Sequence, residues 1–541
     1  MDSLSKHAQD NEARLGPESN NLTLSSGSTA HDILEALDLD PALNRKMHLV
    51  NDALDQIGWT PYHRRLFFLC GMGYIHSFAI IVSLANRLMI FTRYGVDALQ
   101  VSLQGIIATQ AAYEFQPSYP KGLTIALYVG MLVGALFWGL SADIVGRRLA
   151  FNISLFICSV FTIVAGASPN WASLAFFIAF SAFGAGGNLI LDTTVLLEYL
   201  PSNKQWLVTG LAAWWGVGCT IAGLVAWGFM PNYSCSNPSE APFMPCTKAN
   251  NSGWRYLMYT MGAMIFVMSI ARVAVVKFKE TPKFLLGQGK DTEVVERFNQ
   301  LAEKYHRSCP ITLQQLQDCG PIATAHSQSS QFSVGEFSIH LRSLFSTRKL
   351  VLLMALLWLS WLMLGLAYPL FNVFLPSYLA SRGVKFGVLS TYETWRNYAL
   401  AQVCSIFGPI ASAYLANRRF LGRRYTMTIG GLLTMAFLFA YSQVTSQQQN
   451  VAYTCVISFT LQIYAACLYG YTVEVLPSAH RATGNGVSVA LHRFMGVVSA
   501  IIATSADTET TAPVFICAAL YGGLAMCAVL LPFEPCAKRA S

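Results

Sequence analysis

The stretch GLSADIVGRR, residues 139–148, returns later in the chain as LANRRFLGRR, residues 415–424. Gly146 and Gly422 stand 276 positions apart (422 − 146 = 276), and the same shift carries Glu198 to Glu474 and Pro201 to Pro477. Two unrelated motifs at one offset mark a duplication in which the second half of the chain repeats the first in the same direction. Around the first copy, apolar runs fall near 65–85, 121–141, 149–166, 172–196, 206–229 and 255–276; around the second they fall near 350–378, 394–417, 425–443, 450–472, 484–504 and 512–532. Each can cross a hydrocarbon core ~30 Å thick. Inside that core every backbone amide needs a partner within its own segment, so the runs are helices. The expected fold is an all-α membrane protein, with twelve transmembrane helices in two six-helix bundles related by a parallel pseudo-repeat.

The flanking segments complete the plan: an N-terminal tail at 1–60, bundles at 61–276 and 350–533, a linker at 277–349 and a short tail at 534–541. Within the linker, KDTEVVERFNQLAEKYHR has the mixed charge of a solvated helix. The tail has no apolar core after a basic start, so the first span is expected to serve as the insertion signal.

Composition agrees with lipid as the solvent: 54% of residues are hydrophobic, 12% are charged, and mean hydropathy is +0.43. The net charge of +8 resides in loop Lys and Arg rather than in a basic, aromatic-laced face, which argues against a nucleic-acid partner. Arg147, Arg148, Lys204, Arg418, Arg419, Arg423, Arg424, Arg481 and Lys538 share one side, and the positive-inside rule makes that side, with both termini, cytoplasmic. On the other side lies NYSCSNPSEAPFMPCTKANNS, carrying glycosylation acceptors at Asn232 and Asn250 and a candidate disulfide between Cys235 and Cys246. No metal-ligand spacing, nucleophile elbow or ATPase signature is present. GAGGN at 184–188 lacks the Lys-Ser/Thr of a phosphate loop and sits inside a span. These readings predict no metal, no cofactor and no enzymatic activity, so energy would come from a gradient.

Gly139-x-x-x-Asp143-x-x-Gly146-Arg147-Arg148 resembles the signature loop between the second and third helices of the major facilitator superfamily. ETPKFL at 280–285 and TVEVLPSAHRATGNG at 472–486 resemble elements of its sugar-porter and organic-ion branches. GGNLILDTTVLLEYLP at 186–201 and AYPLFNVFLPSYLASRG at 367–383 resemble a mainly fungal branch related to the synaptic vesicle glycoprotein-like transporters. The resemblance implies secondary transport of a small organic solute (a metabolite, a sugar-like molecule or an organic ion) by alternating access. It leaves open proton coupling, facilitated diffusion, metabolite efflux and, as another class, a non-transporting sensor on the same scaffold. Expected partners are the solute, the bilayer and protons, with the chain a monomer in the plasma membrane.

The resemblance also assigns a latch to Gly139, Asp143, Gly146, Arg147, Arg148 and Glu198. By the repeat, the second copy comprises Arg423, Arg424 and Glu474, with Arg481 close by in the second motif. The offset places Arg419 opposite Asp143, so the second loop is expected to lack a carboxylate. Asp192, an ionisable group within a span, is the leading candidate for substrate contact or proton coupling, with Asn188 one turn earlier. Arg493, permanently charged, suits an anionic substrate or Asp192 itself, and His492 stands beside it. Trp215, Tyr368 and Asn372 are candidate lining residues, the last two four apart on one helix face.

Overall fold

The computed structural model describes residues 41–71, 93–144, 147–235, 245–275, 281–308, 311–322, 345, 348–373, 375, 390–418, 420–476, 481–505 and 512–535. The first half comprises α1 (Pro41–Ile57), α2 (Pro61–Gly71), α3 (Arg93–Phe115), α4 (Gly122–Ile144), α5 (Arg147–Gly166), α6 (Trp171–Gly186), α7 (Asn188–Tyr199), α8 (Leu207–Leu211), α9 (Ala213–Tyr233) and α10 (Gly253–Val275). Linker helices α11 (Pro282–Gly287), α12 (Asp291–Lys304) and α13 (Leu313–Asp318) follow. The second half comprises α14 (Arg348–Asn372), α15 (Thr391–Ala416), α16 (Gly422–Tyr441), α17 (Gln447–Val475), α18 (Arg481–Ser505) and α19 (Ala512–Leu530). Every element among the described residues is helical.

The two halves meet along two seams, α9 against α15 and α4 against α18. The repeat carries Gly122, the start of α4, onto Tyr398 of α15, and Ala213, the start of α9, onto Val489 of α18. Exchanging the copies therefore turns one seam into the other, as a two-fold axis along the membrane normal requires. Within the first bundle, α4 and α6 approach backbone to backbone. A Cβ added at Gly130 would stand 2.1 Å from the Ala179 carbonyl oxygen, and one at Gly134 would stand 2.3 Å from that of Phe183. Small residues give this proximity, and the dispersion contacts it creates replace the hydrophobic drive that lipid removes.

Helix α3 is a departure from the sequence reading, which placed a span at 65–85 and none here. Residues 72–92 lie outside the described residues, while α3 packs against α4, α6, α7, α9 and α10 as a full member of the bundle. Its hydropathy is diluted by polar side chains that the fold pairs internally. The Gln100 amide donates to Thr162 Oγ1 at 2.7 Å, and that of Gln104 donates to Thr124 Oγ1 at 2.8 Å. Glu114 accepts two bonds from Arg255, at 2.6 and 2.8 Å, and one from Trp254 Nε1 at 3.1 Å. The Arg255 guanidinium also stacks 4.1 Å from the Trp254 ring and donates to the Ser168 carbonyl. Polar groups satisfied in this way are compatible with a span that a hydropathy window overlooks.

Part of the N-terminal tail is also structured. Met47, Val50, Ala53, Leu54 and Ile57 of α1 bury one face against Leu285, Leu286, Val294, Phe298, Ile311 and Leu316 of the linker helices, forming a satellite core. Lys46 pairs with Asp291 at 2.6 Å at its edge. Asp55 accepts from the backbone N–H and the hydroxyl of Ser202, both at 2.7 Å, tying α1 to the turn after α7. Between them lies His63, whose Nδ1 accepts the Thr60 amide at 3.2 Å and lies 2.8 Å from the Thr60 hydroxyl.

Burial holds the His63 ring down at about 4, with the Tyr199 backbone opposing only in part. The unfolded ring titrates at roughly 6.5, so between the two values the unfolded state binds more protons and stability falls as pH falls. Unfolding of this unit, followed between pH 7 and pH 4, should lose stability progressively through that window. His63→Gln should flatten the dependence.

Candidate functional site

Charge is concentrated where the second bundle reaches its Arg-rich end. Gly422 opens α16 at φ +60°, a left-handed conformation that side chains resist, and a Cβ there would lie 2.6 Å from Glu534 Cδ. That approach lets the Glu534 carboxylate take the second and third amides of the helix, Arg423 N at 2.8 Å and Arg424 N at 3.0 Å. An anion there satisfies orphan donors and complements the helix dipole. The second loop itself has no carboxylate at the position matching Asp143, as the sequence indicates. Position 419 cannot supply one, and Glu534, arriving from beyond α19, supplies it instead.

With its backbone fixed, Arg423 reaches inward, Nε to Glu474 Oε2 at 3.0 Å and Nη2 to Oε1 at 2.7 Å. Both side chains are almost fully buried. Arg424 takes another course and donates to the Val529 carbonyl of α19. Arg481 Nε donates to the Leu476 carbonyl at 3.3 Å, closing the end of α17. In the first copy Gly139 is buried on α4, and Glu198 is buried at the end of α7 beside Tyr199, whose ring meets Tyr62. Gly146 lies outside the described residues. So do the side chains of Asp143, Arg147, Arg148, Asn188 and Asp192.

A second constellation joins the bundles through aromatic rings. Trp215 of α9 donates from Nε1 to the Tyr368 hydroxyl of α14 at 2.6 Å, crossing from one half of the chain to the other. Trp215 also faces Tyr469 of α17, which packs on Trp361 at 5.0 Å between centroids. Trp361 meets His492 edge to face at 5.8 Å and donates to Thr472 Oγ1 at 3.0 Å. Trp361 and Tyr469 escaped the sequence reading because isolated aromatics in a span look like packing residues; the repeat offers no signal for them. Gly365 of α14 holds this helix against α18, since a Cβ there would meet the His492 carbonyl oxygen at 2.3 Å.

Arg493 is buried on α18 beside His492. His492 Nδ1 and Asn372 Nδ2 are buried with no hydrogen-bond partner among the described residues. Below them, Asn485 Nδ2 of α18 reaches Thr193 Oγ1 of α7 at 3.4 Å, another contact between halves. Hydrogen-bonding groups and aromatic surfaces thus come together where the two bundles meet.

At the opposite end, Cys235 and Cys246 are joined as a disulfide. Asn251 next to the acceptor Asn250 anchors this loop, donating to the Gln110 carbonyl of α3 at 2.8 Å. Asn250 is exposed in a turn in which it accepts the Thr247 amide at 2.7 Å. Asn232 is exposed in the last turn of α9, and its amide donates to the Gly228 carbonyl. Among the described residues no group of His, Cys, Asp or Glu could hold a metal ion.

Comparison with known proteins agrees with this architecture. A sequence profile of the Major Facilitator Superfamily matches residues 66–500. The major facilitator-type transporter hxnZ of Emericella nidulans is 36% identical over 512 residues, covering 91% of this chain and 87% of that protein. The MFS siderochrome iron transporter 1 of Ceriporiopsis subvermispora is 35% identical, covering 93% of each. The proton:xylose symporter XylE, solved with 6-bromo-6-deoxy-D-glucose, superposes with a TM-score of 0.63 at 14% identity, covering 83% of this chain and 96% of that one.

Breaking the Arg423–Glu474 pair from one side strands a buried charge. Arg423→Ala should lower unfolding stability in detergent by about 3–5 kcal/mol. Removing both charges in Arg423→Ala/Glu474→Gln should cost less than the sum of the single variants.

Proposed function

Because this chain belongs to the Major Facilitator Superfamily, a family of secondary transporters of small solutes and not of enzymes, we propose that it carries a small organic anion with a ring or other apolar surface. The site would lie between the bundles, against Trp215, Tyr368, Tyr469, Trp361 and His492. The observation that carries this reading is the Trp215–Tyr368 hydrogen bond between halves, set among rings and next to the unpartnered amide nitrogen of Asn372 and ring nitrogen of His492. A solute entering there exchanges one inter-bundle bond for several of its own, which couples occupancy to the separation of the bundles. Aromatic faces supply apolar contact, and the permanent charge of Arg493 favours an anionic group.

In this reading Asp192 takes up the coupling proton, with Asn188 on the same face of α7. An intramembrane carboxylate is expensive unless protonated or paired, and that expense is what makes it responsive to occupancy of the site. The first-copy latch of Asp143, Arg147, Arg148 and Glu198 would hold the Arg-rich end closed, with an arginine reaching Glu198 as Arg423 reaches Glu474 in the second copy. The Arg-rich end would be cytoplasmic and the disulfide end extracytoplasmic. The chain would act as a monomer in the plasma membrane, with a glycan on Asn250, in an exposed turn, in preference to Asn232, which lies in the last turn of a spanning helix.

Two measurements test this. In proteoliposomes, a pH gradient should drive uptake of aromatic carboxylates from a candidate panel, Asp192→Asn should abolish the gradient dependence, and Trp215→Phe should weaken solute binding. Flux indifferent to the gradient would instead identify a facilitated-diffusion carrier. Expressed in a eukaryotic host, the chain should shift in mass on glycosidase treatment, and Asn250→Gln should remove the shift; a shift that survives assigns the glycan elsewhere.

A further inference from the structure

At the Arg-rich end the second bundle has a surface that the first does not repeat. The turn from α15 to α16 runs Asn417-Arg418-Arg419-Phe420-Leu421, and Phe420 is 90% exposed, the most of any large apolar side chain described. One turn before Arg418, Tyr414 is 59% exposed on the flank of α15, continuous with the exposed Phe407 and Ile410. On α16, Tyr425 is 55% exposed, in line with the exposed Ile429, Leu432 and Leu433. These side chains extend the lipid-facing band of the bundle down to its end.

Arg418 is held on this same flank instead of reaching into water. Its guanidinium carbon lies 4.5 Å from the centre of the Tyr414 ring, and the group bonds to the Tyr414 hydroxyl. Among the described residues no carboxylate forms an ion pair with it. Glu534, the acid at this end of α16, is already engaged by the amides of Arg423 and Arg424. The repeat places Trp138, Ala142 and Ile144 opposite Tyr414, Arg418 and Phe420. Trp138 donates to the Phe183 carbonyl within its own bundle, so at these matching positions the first copy has neither the cation nor the outward aromatic pair.

We propose that the α15–α16 turn binds the headgroup of an anionic phospholipid, with Phe420 inserted beneath the headgroup layer and Arg418 against the phosphate. An aromatic side chain this exposed at the end of a spanning helix belongs at the lipid interface, where its apolar body is covered. A guanidinium tethered beside it meets phosphate oxygens in place of water and pairs with them through a planar fork of donors. The leaflet facing the cytoplasm carries the anionic lipids, so the inference accords with the proposed orientation, although binding itself can be measured without it.

The test uses the purified full chain in detergent micelles, titrated with phosphatidylserine and, separately, with phosphatidylcholine, bound lipids being counted by native mass spectrometry. Wild type should bind phosphatidylserine saturably, and Arg418→Gln should weaken that binding about fivefold, the share of one interfacial basic residue. Phe420→Ser should also weaken it, with phosphatidylcholine binding unchanged in both variants. Tyr414→Phe keeps the ring but drops the hydroxyl that positions the guanidinium, so it should fall between wild type and Arg418→Gln at an unaltered melting temperature. Should Arg418→Gln misfold, Tyr414→Phe and Phe420→Ser decide the matter. Undiminished phosphatidylserine binding in the folded variants overturns the proposal. So does displacement of phosphatidylserine by millimolar inorganic phosphate, which would make the turn a free-anion site.

Discussion

A charge withdrawn from water must find a partner at the point where it comes to rest, and the framework of this transporter follows from how that demand is met inside each bundle. In the first, Arg255 and Glu114 join α10 to α3 at the disulfide end, backed by Trp254 and the Ser168 carbonyl. In the second, Arg423 and Glu474 join α16 to α17 at the Arg-rich end, with Glu534 fixing the helix start that aims the arginine. Breaking either pair leaves an uncompensated charge in a low-dielectric interior, a far larger penalty than loss of an exposed pair. Each bundle is consequently braced as a unit.

The seam between the bundles is built from gentler materials. Trp215 meets Tyr368 through one hydrogen bond, Asn485 meets Thr193 through a long one, and glycines allow close passage, as where Gly216 lets α9 approach the Ile406 backbone of α15. Such contacts can be remade at modest cost, and the two seams exchange under the repeat, so opening one end while closing the other uses the same kind of surface twice. Rigid halves and a replaceable seam are what alternating access requires.

Much of this plan was legible in the sequence, because a duplication leaves an offset and a lipid-facing helix leaves an apolar run. The shared shift of 276 residues joined Arg423 and Glu474 to one motif pair before any geometry was known (474 − 198 = 276). What escaped reading shares a physical cause. Helix α3 hid because Gln100, Gln104 and Glu114 lower its hydropathy, and their partners lie on α4, α5 and α10, far along the chain. Glu534 hid because its role depends on the end of α19 returning to the start of α16. The packing of α1 into a satellite core hid because its apolar face is complete only when the linker helices cover it. Trp361 and Tyr469 become functional candidates only once Trp215 and Tyr368 are seen to meet beside them. In each case local pattern was insufficient because the deciding contact is long-range.

Rigid bundles that part alternately at their two ends predict anticorrelated distances. The most direct measurement is pulsed electron–electron resonance on reconstituted protein, labelled in one sample at Asn203 and Asn417 across the Arg-rich end and in another at Asn170 and Gln449 across the disulfide end. Each pair should show two distances, with the fraction that is long at one end matching the fraction that is short at the other. A single distance at both ends, or lengthening at both ends together, would contradict the account.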